Sequence, residues 1–209
     1  MKKIAFSDKY GLTQAVVDLI KTNTRRAEKS FDVLPLEYNP FLTEFQFEYK
    51  DGIIIGRRLF KGSHVETYHL KPLYKIGEEV AVAQAYKDIY PNADFEMAGK
   101  QFITESAGWN NKMFVLADLM PHRIRITNIK LERLQDISEA NIFNEGIRMR
   151  FAEGQTKSYF TFPTYDKNNP RDIFLSPREA FAALIDRISG KGTWERNPWV
   201  FAYEFELVK

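Results

Sequence analysis

The sequence predicts an α+β chain, a mixed and strongly curved sheet or small β-barrel with about three helices at its ends. Alternating apolar and polar residues recur along much of its 209 residues, which is the signature of half-buried strands. Only three segments carry a helical stripe with clear ends. Strands and helices also lack the regular β-α-β rhythm of a doubly wound parallel sheet. The 11 glycines and 9 prolines are scattered singly as turn punctuation, so one domain over 1–209 is expected.

The first element is a helix over 13–20. Leu12, Val16, Leu19 and Ile20 share a face, and Thr13 is placed to cap it. A basic stretch follows, Lys21-Thr22-Asn23-Thr24-Arg25-Arg26. Phe45, Phe47 and Tyr49 then alternate with Glu44, Gln46 and Glu48, and Asp51-Gly52 turns this run into Ile53-Ile54-Ile55 as a hairpin. Val65, Thr67 and His69 continue the alternation, and Lys75-Ile76-Gly77-Glu78-Glu79 reads as a turn into a strand over 80–85. Pro91, Gly99 and Gly108 break up residues 86–120, and Trp109-Asn110-Asn111-Lys112 is expected as an exposed loop.

From His122 a long strand carries Ile124, Ile126, Ile129 and Leu131, with Arg123, Arg125, Lys130 and Arg133 between them. Asp136 and Glu139 have capping-box spacing for a short helix that ends by Asn144 or Glu145, at Gly146. Strands are expected near 148–152 and 158–162. Ser176-Pro177-Arg178-Glu179 is the best helix start in the chain: cap, N1 proline and N3 glutamate. Phe181, Leu184, Ile185 and Ile188 form its buried stripe, and Gly190 ends it. A last strand over 199–208 places Trp199, Phe201, Tyr203, Phe205 and Leu207 on one face.

Composition excludes several classes. With no cysteine, a disulfide scaffold, a Cys-based metal site and a thiol nucleophile are all ruled out. Aromatic residues at 14% and a net charge of +2 argue against disorder. The same small charge gives no global nucleic-acid footprint, so any basic surface must be local. The apolar runs are far shorter than the roughly 20 residues of a membrane span. Residues 1–8 lack a signal-peptide core, and a cytoplasmic location is expected. His64, His69 and His122 do not cluster, so no metal and no cofactor are expected.

Few residues stand out for chemistry. Lys21 and Thr24 are three apart, close enough to bring an amine to a hydroxyl. A threonine needs a neighbouring base to become a nucleophile, and burial or nearby positive charge lowers a lysine's pKa towards that role. Arg25 and Arg26 supply such charge, and Arg26 suits an anion or a carbonyl. Spacing alone favours a plainer account, a solvated basic helix end. Glu145 sits at a helix C-terminus, against the dipole. Arg123 and Arg125 with Trp109, Trp194 and Trp199 offer a groove for bases, or simply an outward charged face over a tryptophan-containing core.

Taken in order, these segments resemble the ASCH domain family, whose fold is PUA-like. Lys21, Thr24 and Arg26 match its Gly-x-Lys-x-x-Thr-x-Arg signature, with Leu19 in place of the glycine. Tyr74-Lys75-Ile76-Gly77-Glu78-Glu79-Val80 fits its next landmark, and the strand from Ile124 leading to Asn144-Glu145-Gly146 fits the third. The stretch from Ile188-Ser189-Gly190-Lys191-Gly192-Thr193-Trp194 to Trp199-Val200 is similar to the C-terminal motif of the family's phage- and prophage-associated branch. The resemblance implies a PUA-like pseudobarrel with insertions near 31–73, 86–120 and 150–175.

The resemblance also implies functions. The first is binding of RNA or a nucleotide in a cleft beside Lys21, Thr24 and Arg26, with Arg25, Arg123 and Arg125 as contacts. The second is amide hydrolysis on an acetylcytidine-like substrate, with Thr24 as nucleophile, Lys21 as its base and Glu145 as acid/base; ribonuclease activity ranks lower. The third is a non-catalytic phage accessory module that binds a protein. Binding comes first, because catalysis needs three residues to converge. Leucine for glycine at position 19 also puts the turn before Lys21 in question, since that turn calls for positive φ.

Overall fold

A five-stranded sheet organises the chain in the computed structural model. The structure describes residues 1–27, 42–61, 65–151, 156–165 and 172–208. His64 and parts of the insertions expected at 31–73 and 150–175 lie outside them. In chain order the strands are β1 (Lys2–Ile4), β2 (Asn23–Ala27), β3 (Leu42–Lys50), β4 (Ile53–Phe60), β5 (Val65–Leu70) and β6 (Glu79–Val82). They continue as β7 (Glu96–Met97), β8 (Gln101–Phe102), β9 (Arg123–Arg133), β10 (Arg148–Phe151), β11 (Ser158–Thr161) and β12 (Trp199–Val208). The helices are α1 (Leu12–Val17), α2 (Tyr86–Ile89), α3 (Glu139–Asn144), α4 (Pro177–Ser189) and α5 (Thr193–Arg196).

The main sheet runs β1-β6-β9-β12-β2. β1 pairs with β6 in parallel and every other neighbour is antiparallel, so the sheet is mixed, as expected for α+β. It is not a closed barrel: among the described residues no ladder joins its edges, β1 and β2. The chain leaves β1 at Ala5 and turns through residues 8–10. Side chains bridge the seam instead. Arg26 Nη2 donates to the Ala5 carbonyl at 2.7 Å, and its guanidinium lies 5.7 Å from the centre of the Phe6 ring.

A bulge explains the spacing of isoleucines in β9. Ile124 and Ile126 fall on even numbers, Ile129 and Leu131 on odd ones. Phe205 pairs with Ile126 and Glu204 with Asn128, which leaves Thr127 as the extra residue. One inserted residue restores the phase of the side chains. All four apolar residues therefore share a face with Phe201, Tyr203 and Phe205, and the whole set is buried. The alternation of β12 needs no such correction.

Three smaller sheets surround this core. β3, β4 and β5 form an antiparallel sheet whose hairpin turns at Asp51 and Gly52, both at positive φ, as Asp-Gly predicts. β10 pairs with β11, and β7 with β8. The irregular stretch at 86–120 has its own small core, with Tyr86, Ile103, Val115 and Met120 packed on Ala81 and Ala83 of and beside β6. Gly108 is needed there, because a Cβ at this position would lie 2.5 Å from the Tyr86 ring. Trp109 packs against this cluster, so the expected exposed loop begins only after it.

Helix starts follow local capping chemistry with two shifts, and α1 ends at Val17, short of the expected Ile20. α4 starts as predicted, with Ser176 Oγ accepting from the Glu179 N–H and Gly190 after its last residue at φ 101°. α3 is capped by Ser138, whose hydroxyl accepts from Asn141 N–H, and not by Asp136, which lies in the preceding 3-10 turn. α1 starts at Leu12 after Gly11; the Thr13 hydroxyl is turned towards Asp8 and the Phe6 carbonyl instead of capping the helix. Asp186 holds the loop after α4 by accepting from the N–H groups of Gly192 and Trp194. Those backbone hydrogen bonds hold its pKa below the usual value.

Candidate functional site

The basic stretch after α1 becomes a site because three elements meet there. α1 ends in a turn in which Ile20 and Lys21 N–H both donate to the Ala15 carbonyl, at 2.8 and 2.9 Å. Leu19 occupies the left-handed position of this turn at φ 60° and is 60% exposed. The turn that suits glycine is therefore kept, with leucine carrying the strain. Leu19→Gly should raise stability by about 0.5–1 kcal/mol, because relief of that strain exceeds the entropy glycine adds to the unfolded chain. Thermal unfolding checks this, and an unchanged or lowered midpoint would count against strain at Leu19.

The turn delivers Lys21 to the interior, and α3 delivers Glu145. Thr22 N–H donates to the Asn144 carbonyl at 2.9 Å, and Asn23 Nδ2 donates to Asn141 Oδ1 at 2.9 Å. These bonds fasten the start of β2 to the end of α3. Gly146, at φ 107°, turns the chain directly after Glu145. Lys21 and Glu145 are then both buried. Lys21 Nζ donates to the Glu145 carbonyl at 3.0 Å and to Glu145 Oε2, and lies 5.6 Å from the centre of the Phe6 ring.

Arg25 extends the pair into a chain of four charges. Its Nη1 is 3.1 Å from Glu145 Oε1, and its Nε donates to Glu132 Oε1 at 2.8 Å. Glu145 thus gives one oxygen to Lys21 and the other to Arg25. Burial lowers the Lys21 pKa from 10.5; Glu145 opposes this, while Arg26 and Arg25 reinforce it. Arginine keeps its proton under all ordinary conditions, so Lys21 is the cation here that can lose one. Arg26 makes no ion pair with a described residue, and its buried Nε has no hydrogen-bond partner among them.

These groups line one cleft of about 280 Å³. Lys21, Thr24, Arg25, Arg26 and Glu145 form its polar side, and Phe6 and Leu12 line it as well. Phe181, Leu184, Ile185 and Ile188 of α4 form an apolar wall, spaced as one helical stripe. Thr24 is buried, and its hydroxyl makes no hydrogen bond to any described residue. The structure therefore brings together five of the residues singled out from the sequence.

It does not bring Arg123 and Arg125 with them. Both lie at the start of β9, away from the cleft. Arg125 is held on the surface by Glu79 and Glu206, at 2.9 and 3.0 Å, and its hydrogen bond to Glu79 raises its pKa. Trp199 and Trp194 are covered by guanidinium groups, Arg133 at 4.7 Å and Arg178 at 5.5 Å from the ring centres. Glu132 and Phe6 were missed in the sequence. Glu132 stood among basic residues that drew attention first, and nothing local marks Phe6 as part of a site.

Among the described residues no group of three or more His, Asp or Glu could hold a metal ion. No described helix is long and apolar enough to cross a membrane. No protein family, curated protein or solved structure gives a significant match to this chain.

Proposed function

We propose that the chain is a small amidohydrolase, with Thr24 as nucleophile, Lys21 as its base and Glu145 as the group that returns the proton. One observation carries this reading: the three residues line the same cleft, two of them ion-paired. The resemblance to ASCH domains points to an acylated nucleobase or nucleoside as substrate. A PUA-like pseudobarrel, open at its seam, is the matching reading of the curved sheet. Binding of RNA is the weaker reading, because Arg123 and Arg125 do not join the cleft's basic side.

The reaction follows from the charges. Burial among arginines lowers the Lys21 pKa, which brings its neutral form within easier reach, and that form takes the proton of the Thr24 hydroxyl. Thr24 Oγ1 bonds to the acyl carbon, and the carbonyl electron pair moves to its oxygen. A backbone N–H of the β2 edge is the donor for that oxyanion. When the carbonyl re-forms, the C–N bond breaks and the amine leaves with the proton passed from Lys21 through Glu145. Water then attacks the acyl-threonine ester with the same base. The acid is released and Thr24 regains its proton.

The test is acetate release from acetylcytidine, followed by NMR over a range of pH. The neutral lysine is the active form and its pKa is lowered, so the rate should rise with pH and level off below 10.5. A rate that climbs only near 10.5, or no acetate release at any pH, would count against it.

A further inference from the structure

The cleft has a feature that a nucleobase does not require. Thr24, Arg25, Arg26 and Ala27 all line it, although successive side chains of a strand point to opposite faces. Four consecutive residues can face one cavity only along the strand's edge. β2 is the last strand of its sheet, so no described residue pairs with that edge.

The register identifies the free groups. Phe205 N–H donates to the Thr22 carbonyl at 2.8 Å, and Thr24 and Arg26 lie opposite Tyr203 and Phe201. In an antiparallel ladder, alternate residues turn both backbone groups towards the partner. Thr24 and Arg26, like the Thr22 carbonyl, therefore face β12, while Arg25 and Ala27 turn their N–H and C=O groups away from it, to the cleft. No described residue pairs with them. The α4 stripe of Phe181, Leu184, Ile185 and Ile188 stands across the gap.

We propose that this cleft takes its amide as a short extended peptide, an N-acyl dipeptide with a free carboxylate. The proposal names the substrate class of the hydrolase reading above and rests on it. The peptide adds to the sheet as a strand between β2 and α4. Its N–H and C=O groups pair with Arg25, and two residues at roughly 3.4 Å each span Arg25 to Ala27. An aliphatic side chain lies on the α4 stripe. The carboxylate meets the Arg26 guanidinium, the cation of this cluster that no described carboxylate balances. With the carboxylate on Arg26, the N-acyl end lies towards Thr24. Attack there breaks the acyl C–N bond, and water completes the release of acid and free dipeptide.

N-acetyl-alanyl-leucine is the probe, titrated into the Thr24→Val protein by calorimetry and backbone NMR. Shifts of the Arg25 and Ala27 amides are expected. Methylating the leucine amide nitrogen, or esterifying the carboxylate, should each weaken binding about tenfold, the loss of one good hydrogen bond or ion pair. In Arg26→Gln the ester and the acid should bind alike. Equal affinity for all three peptides, binding without shifts at Arg25 and Ala27, or no binding would each overturn the proposal. Wild-type protein separates the two ideas. Acetylcytidine hydrolysis without dipeptide binding overturns this proposal and leaves the hydrolase standing. Dipeptide binding at the β2 edge with hydrolysis of neither compound supports the edge site and overturns the hydrolase.

Discussion

Thr24→Val abolishes acyl release and leaves the fold intact: a fall in kcat by a factor of about 10³ or more is the expected result, as for removal of a nucleophile. The two side chains have the same shape, so the packing beside Lys21 survives. The stability effect should be small, within about 1 kcal/mol. The Thr24 hydroxyl bonds to no described residue, so its removal strands no partner. Thr24→Ser should retain part of the rate, since it keeps the oxygen and loses only a methyl group. Activity of Thr24→Val near that of the wild type would remove Thr24 as nucleophile, and Lys21 would then have to activate water directly.

Part of this architecture was legible from local pattern. Ser176, Pro177 and Glu179 mark the start of α4, and Asp51-Gly52 marks its hairpin, because caps and turns depend on neighbours in sequence. The slip from Ile126 to Ile129 also records the bulge at Thr127, although a single long strand was the simpler reading. Lys21, Thr24 and Arg26 stood out as a motif. What local pattern cannot carry is pairing across the chain. Glu145 meets Lys21 from 124 positions away, and Glu132 meets Arg25 from 107. Arg25 and Arg123 look alike in sequence, yet one completes a buried charge chain and the other sits at the far end of β9. The 86–120 stretch resisted reading because short 3-10 turns around Tyr86 have no apolar period. The open seam between β1 and β2, which creates the cleft, is a property of the whole sheet.

Glu145→Ala should be the most destabilising single change at the site, at about 3–5 kcal/mol. Removing this carboxylate leaves Lys21 with only the carbonyl of residue 145 as acceptor. Arg25 keeps Glu132, so the loss falls mainly on Lys21. In a chain of this length the unfolding midpoint should drop by roughly 10 °C. Lys21→Met should cost less, because Glu145 keeps Arg25 and methionine fills the same slot beside Phe6. The double variant Lys21→Met/Glu145→Leu should recover much of the loss, since a buried pair exchanged for apolar side chains is often neutral. The pH dependence gives a second check. Lys21 binds its proton at the ordinary 10.5 when unfolded and less readily when folded. Between those two values the unfolded chain holds the extra proton, so stability rises with pH there and falls as pH drops through the folded value. Glu145 is the group that opposes this lowering, so its removal widens the window. The deficit of Glu145→Ala should therefore shrink as pH rises towards 10.5 and be largest near neutrality. A deficit independent of pH would mean that the lost stability comes from packing at the end of α3, and that the charge on Lys21 contributes none of it.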